Sequence, residues 1–243
     1  MALGPTPRRP RGRGPIRFDR IAKPGGGART LSLLDPVDAV AFARAVARVG
    51  PLVERRLRSM VLSPRLDPRG SLAPWGPARA RWTAEIDRRL RARRPPVAAV
   101  ADVRDCYGSI RDRPIRACLR DAGASDDQVG AILDLFGAFR DEGVVGLPVG
   151  PPPSTVLADA VLSVADEALV VAGLPHLRWV DDVVVFAPDP REARAGIDLL
   201  RRSLAHVGLE LNDTKTRIIG DPAEARAMLT ARPPSLARDR GMA

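Results

Sequence analysis

The sequence is poor in several residue types, and each scarcity narrows what the chain can be. It has two cysteines, Cys106 and Cys118, and two histidines, His176 and His206. Two thiols cannot build the disulfide framework of a small secreted domain, and these four residues show no zinc-ligand spacing. Of the 39 basic residues only Lys23 and Lys215 are lysines, so the positive charge is carried by arginine. Aromatic residues make up 4% of the chain. The most apolar long stretch, residues 156–174, is interrupted by Asp159, Asp166 and Glu167, which a bilayer core tolerates badly. The basic N-terminus MALGPTPRRPRGRGP has no apolar run behind it, so it does not read as a signal peptide. A cytoplasmic protein with no membrane partner is expected.

What remains is an ordinary globular composition: 243 residues, 45% hydrophobic and 28% charged, enough for one sizeable domain or two lobes sharing a core. The net charge of +10 is unevenly spread. Residues 1–29 carry eight bases against Asp19, and residues 51–94 carry twelve arginines against Glu54, Asp67, Glu85 and Asp87. The remainder of the chain is therefore acidic. A basic part joined to an acidic part suggests that one grips a polyanion while the other offers carboxylates to a metal.

Along the chain, residues 1–15 are Pro/Arg/Gly-rich and read as a flexible arm. Asp35-Pro36 gives a helix start, with an N-cap acceptor, a proline at the first helical position and Asp38 in the first turn. This helix is expected to break at Gly50-Pro51, with a short helix over 52–61 following. Residues 64–77 read as irregular and 78–94 as a basic helix. The apolar run Val97–Val103 (VAAVADV) lies just after Pro95-Pro96 and fits a buried central strand, with Asp102 near its end. A helix is expected over 125–139, a Gly/Pro-rich loop over 143–153, and then a helix capped by Ser154 or Thr155. Residues 176–180 and 183–187 read as two strands joined at Asp181-Asp182. Residues 190–207 form an amphipathic helix stopped by Gly208, and 209–211 a last short strand.

From residue 97 onward the order is strand, helix, strand, strand, helix, strand, with a helical insertion after the first strand. That is a split βαβ arrangement, an antiparallel sheet with two helices on one face. Its first and third strands neighbour each other, so Asp102, Asp181 and Asp182 are expected to meet at one sheet edge. Packed carboxylates repel, and a divalent cation with oxygen preference such as Mg²⁺ resolves the conflict. Two such ions activate an attacking hydroxyl and stabilise a leaving pyrophosphate. A hairpin turn ordinarily favours Asn-Gly or Asp-Gly, so an Asp-Asp doublet framed by Trp179-Val180 and Val183–Phe186 points to function.

These residues carry a family resemblance. VADVRDCYGSI (100–110), GLPVGPPPSTVLADAVL (146–162), RWVDDVVVFA (178–187), GLELNDTKT (208–216) and, upstream, IAKPGGGARTLSLLDPVDAVAFARAV (21–46) are similar in order and content to the motifs of reverse transcriptases, RNA-directed DNA polymerases. The resemblance implies an α+β right hand with fingers and palm, the palm being the ferredoxin-like split βαβ sheet. It also implies a thumb that is missing or rudimentary, since only 23 residues follow Gly220. It places a basic arm at 1–20, fingers at 21–96, palm at 97–220 with a fingers insertion near 111–145, and a tail at 221–243. It implies that Asp102, Asp181 and Asp182 hold two Mg²⁺ ions (or Mn²⁺), with Val103 beside them among the metal-contacting residues. Lys215 then protonates the departing pyrophosphate, and Tyr107 lies under the sugar and excludes a 2′-hydroxyl. Val149 and Gly150 contact the nucleotide, and Lys23 and Arg29 the triphosphate.

The partners implied are an RNA template, a DNA or RNA primer, dNTPs, and a partner protein that supplies the thumb or an effector function. Two departures stand out: Trp179 where the family commonly has Tyr, and Val149 where it commonly has Gln. The variant GLPVGP…S…LA resembles the bacterial abortive-infection and "unknown group" enzymes associated with phage defence. The alternative expectation is a catalytically retired polymerase that holds RNA or a partner. A palm-like nucleotide cyclase is a third, for which no Gly-Gly-acidic hairpin turn is found.

Overall fold

The computed structural model describes residues 14–22, 27–67 and 70–231. Strand β1 (Arg17–Ala22) pairs antiparallel with β2 (Ala28–Leu33) in a two-stranded hairpin. β1 begins just beyond the stretch that reads as a flexible arm, and residues 17–20 are ordered by pairing with residues 30–33. Residues 1–13 of that arm lie outside the described residues.

Helix α1 (Pro36–Arg56) starts as the sequence indicates: the Asp35 carboxylate accepts from the Val37 amide at 2.9 Å, with Pro36 at the first helical position. The expected break at Gly50-Pro51 does not occur, and the helix runs through to Arg56. Gly50 is buried, and a Cβ there would lie 2.6 Å from Leu66 Cδ1. This glycine serves close packing of the following loop and does not stop the helix. Phe42, Val46, Val49 and Val53 bury the inner face of α1 on both sides of Pro51, which sustains the helix where proline removes one hydrogen bond.

The second sheet has the order β4-β5-β3-β6, with β3 (Val97–Asp102), β4 (His176–Trp179), β5 (Asp182–Ala187) and β6 (Arg217–Ile219) all antiparallel to their neighbours. β3 and β5 are adjacent at the centre and every residue of both is buried. Among the described residues the last strand is therefore 217–219. Of the expected 209–211 strand, Leu211 makes an isolated bridge to Val103, which extends the same edge by one step.

Between β3 and β4 the chain forms α3 (Cys106–Ser109), α4 (Asp112–Asp121), α5 (Asp126–Asp141) and α6 (Pro152–Val171); α7 (Pro190–His206) follows β5. α6 and α7 pack together on one face of the sheet, where α7 approaches so closely that a Cβ at Gly196 would sit 2.9 Å from Val185 Cγ1. α2 (Trp75–Leu90) and α8 (Pro222–Ala231) cover part of the opposite face. Trp82, Ile86 and Leu90 bury the inner side of α2, and each such side chain contributes about 1.5–3 kcal/mol through apolar burial. Trp82 Nε1 donates to the Leu229 carbonyl at 3.0 Å and Arg226 pairs with Asp87 at 2.6 Å, fixing α8 to α2. Among the described residues no helix is long and apolar enough to cross a membrane.

Candidate active site

The register of β3 against β5 decides the geometry. Asp102 stands directly opposite Asp182, as Val100 does opposite Val184, so both carboxylates belong to the face that carries Val100 and Val184. Asp102 is 4% and Asp182 6% exposed. The turn joining β4 to β5 is centred on Val180 and Asp181, not on Asp181-Asp182 as expected, because Asp182 is already the first residue of β5. Asp181 is half-buried at that turn, and its carbonyl accepts from the Val103 amide at 3.1 Å. Val103 thus ties the end of β3 to the turn. The three aspartates do come to one sheet edge.

Like charges directly opposite on a sheet destabilise it, and here they have cationic neighbours. Lys215 Nζ lies 2.9 Å from Asp102 Oδ1, and Asn212 Nδ2 donates to Asp102 Oδ2 at 3.3 Å. Asp182 lines a narrow cleft with Arg79, Trp82, Trp179 and Leu229. Burial there lowers the Arg79 pKa while the charge of Asp182 opposes the shift.

The donor chemistry fits a hard divalent cation, since all three side chains offer carboxylate oxygens. Asp102, Asp181 and Asp182 would hold it. Among the described residues, however, no three acidic, histidine or cysteine side chains gather into a ready metal cage.

The turn is strained. Val180 has φ 53°, the left-handed region that a β-branched residue rarely enters. Asp105, just before α3, is the other non-glycine residue at positive φ among the described residues. α3 presents Tyr107, which is buried, with its hydroxyl 3.2 Å from Thr155 Oγ1. Burial drives the Tyr107 pKa well up, against a smaller lowering from the Thr155 bond, so the phenol stays neutral.

The loop expected to contact nucleotide is built on this helix and on β2. The Leu147 amide donates to the Tyr107 carbonyl at 2.8 Å, and the Ser32 amide donates to the Val149 carbonyl at 2.8 Å. Gly150, at φ 118°, lies against Leu31. Arg29 sits in β2 opposite Ile21 and is half-buried. Val149 and Gly150 are therefore joined to the strand that carries Arg29. Lys23 lies outside the described residues. Ser154 does not cap α6, which starts two residues earlier at Pro152; the Ser154 hydroxyl is buried without a hydrogen-bond partner among the described residues.

Sequence reasoning missed Arg79, Asn212 and above all Arg178. Arg178 is completely buried in β4, paired with Asp159 at 2.6 Å and with Asp166 at 2.8 Å. A signal existed: Asp159 and Asp166 lie seven residues apart in a largely apolar stretch, which puts them on one face of a helix, and the short strand expected over 176–180 contains one arginine.

This arrangement is that of a polymerase palm, and comparison with known proteins agrees. The family model for "Reverse transcriptase (RNA-dependent DNA polymerase)" matches residues 21–227, and the chain belongs to that family. No curated protein sequence matches it. Among solved structures it is similar to apo telomerase from Candida tropicalis, at 15% identity and TM-score 0.58, covering 90% of this chain and 46% of the telomerase. It is also similar to telomerase from Candida albicans in complex with the TWJ fragment of telomeric RNA, at 14% identity and TM-score 0.54, covering 86% of this chain and 42% of that one. The corresponding Candida tropicalis complex matches at 16% identity and TM-score 0.54, covering 84% and 40%. The chain thus spans less than half the length of these structures, and at such identity the likeness shows the fold.

Proposed function

We propose that this chain is an RNA-directed DNA polymerase that adds deoxynucleotides to a primer hydroxyl on an RNA template. The observation that carries this is the Asp102–Asp182 pair with Asp181 on the adjoining turn and Lys215 at 2.9 Å. A bound pair of Mg²⁺ or Mn²⁺ ions would supply Lewis-acid activation of the hydroxyl and charge neutralisation at the leaving group. The chain itself positions the reactants, which is most of what phosphoryl transfer requires. Asp102, Asp181 and Asp182 would hold the ions, with the backbone of Val103 beside them. Tyr107 backs the sugar of the incoming nucleotide. Val149 and Gly150 bound its base, and Lys23 and Arg29 receive the triphosphate. Lys215 is half-exposed, so it can leave Asp102 and give its proton to the pyrophosphate. The arginines of α2 and the β1–β2 hairpin serve the nucleic-acid backbone.

Purified protein with Mg²⁺ or Mn²⁺ is expected to extend a labelled primer on an RNA template, and Asp181→Ala to abolish extension. Equal extension by both would remove the assignment. A second reading is a retired polymerase that retains RNA affinity without chemistry. Lys215 occupying Asp102, and Val149 in the nucleotide loop, favour it. RNA binding with no incorporation under any metal, template or primer selects that reading.

The sequence of the second motif supports a finer assignment, to the bacterial phage-defence enzymes. Cells carrying the wild type are expected to show fewer plaques than cells carrying Asp182→Ala. Equal plaque counts would separate any defence from polymerisation.

A further inference from the structure

Arg178 is fully enclosed, with none of its surface open to solvent. Its backbone is held by Met60, whose carbonyl accepts from the Arg178 amide at 3.0 Å, and by Leu62, whose amide donates to the Arg178 carbonyl at 2.9 Å. Its Nε donates to both oxygens of Asp166 at 2.9 and 3.0 Å, and Nη2 to Asp166 Oδ2 at 2.8 Å. Nη1 is shared: it donates to Asp159 Oδ1 at 2.6 Å and to the Val180 carbonyl at 3.0 Å. His176 Nε2 completes the group, 3.5 Å from Asp166 Oδ1.

A buried ion cluster of this kind is weak evidence for stability, because well-packed apolar residues do as well. Its connection to the turn is more specific. Val180, whose carbonyl Arg178 holds, is the residue at φ 53° that strains the turn, and Asp181 follows it. Strained backbone persists where its surroundings over-determine it. Here the surroundings are the guanidinium, anchored by α6 on one side and gripping the turn on the other.

We propose that Arg178 is a positioning residue: it holds the Val180 carbonyl so that the turn keeps its strained conformation and the Asp181 carboxylate stands where a divalent ion binds. Arginine is required because its planar fork engages Asp166 through two nitrogens while a third nitrogen bridges Asp159 and the turn, which an ammonium cannot do. The proposal rests on the polymerase reading above.

The test is Mn²⁺ binding to the purified full chain, followed by the electron paramagnetic resonance signal of free Mn²⁺, beside thermal denaturation. Arg178→Lys is expected to melt cooperatively yet bind Mn²⁺ roughly tenfold more weakly, the usual loss when a group orienting a metal ligand is removed. Adding Val180→Gly is expected to recover most of that loss, because glycine adopts positive φ unaided. A merely structural Arg178 would give no such rescue. Should Arg178→Lys fail to fold, Asp159→Asn, which leaves the Asp166 pairing intact, is expected to weaken Mn²⁺ binding in the same direction. Mn²⁺ affinity equal to wild type in the folded variant, or no rescue by Val180→Gly, overturns the role of Arg178. Absence of both Mn²⁺ binding and primer extension in the wild type overturns the polymerase reading itself and this proposal with it.

Discussion

Asp102→Asn is expected to fold normally and to lose nearly all primer extension. The two halves of this outcome have separate causes. For the fold, Asp102 faces Asp182 across the β3–β5 register and is 4% exposed. Removing its charge relieves a like-charge pairing worth about 0.2–1 kcal/mol. It also breaks the ion pair with half-exposed Lys215, which contributes about 0–1 kcal/mol. The asparagine amide keeps an acceptor for Asn212, so the melting temperature is expected to move by only a few degrees. For the reaction, a neutral amide is a far poorer partner for a divalent cation than a carboxylate. Charge stabilisation by bound metal is worth several kcal/mol, and each step of about 1.4 kcal/mol is tenfold in rate. A loss of about 10³ or more is therefore expected in single-nucleotide incorporation. A folded Asp102→Asn that extends primers at the wild-type rate would show that this carboxylate is structural. A variant that unfolds would show instead that the ion pair with Lys215 outweighs the repulsion.

Much of the fold is legible in the sequence because its signals are local. VAAVADV after two prolines can hardly be other than a buried strand, and β3 proves buried from end to end. Asp35-Pro36 announces a helix through chemistry within four residues, and the cap is there. Ile197, Leu200 and Leu204, spaced for a helix, are indeed the buried side of α7. What fails depends on distant partners. Gly50-Pro51 reads as a stop, but the glycine is demanded by Leu66, sixteen residues on. Leu-Glu-Leu at 209–211 alternates like an edge strand, whereas β6 at 217–219 pairs with β3 through backbone bonds that RII does not advertise. At the site, the paired aspartates stand out as an anomaly, a double anion in an apolar frame. The position of the turn one residue earlier does not, since nothing local leads one to expect a valine at φ 53°. Arg178 is hidden by abundance: in a chain whose basic residues are almost all arginine, the one that is buried among the described residues looks like the rest.

Gly146→Ala is expected to destabilise the protein by about 3–4 kcal/mol, from two effects that add. Gly146 has φ 71°, a conformation that costs an L-residue about 1–2 kcal/mol. In addition, a Cβ at this position would overlap the Tyr107 carbonyl oxygen and stand 2.6 Å from the Gly108 carbonyl oxygen and 2.7 Å from its carbon. These are backbone atoms of α3 that cannot rotate aside, and overpacking of this kind costs about 1–3 kcal/mol. A control separates the two effects. Gly173, just after α6, has φ 68°, and a Cβ placed there would meet nothing within 4 Å, so Gly173→Ala reports the conformational cost alone. At about 2–4 °C per kcal/mol for a chain of this size, Gly146→Ala is expected to melt roughly 6–16 °C below wild type and Gly173→Ala about 2–8 °C below. The functional consequence follows from connectivity. Pushing residue 146 off α3 breaks the Leu147–Tyr107 bond, and with it the support of the segment whose Val149 carbonyl binds Ser32. Nucleotide affinity is therefore expected to fall more than the stability loss alone explains, seen as a raised KM for dNTP measured well below the melting temperature. Equal melting temperatures for the two variants would show that the loop accommodates a methyl group, and that its close seat against Tyr107 does not fix the residues proposed to contact the nucleotide.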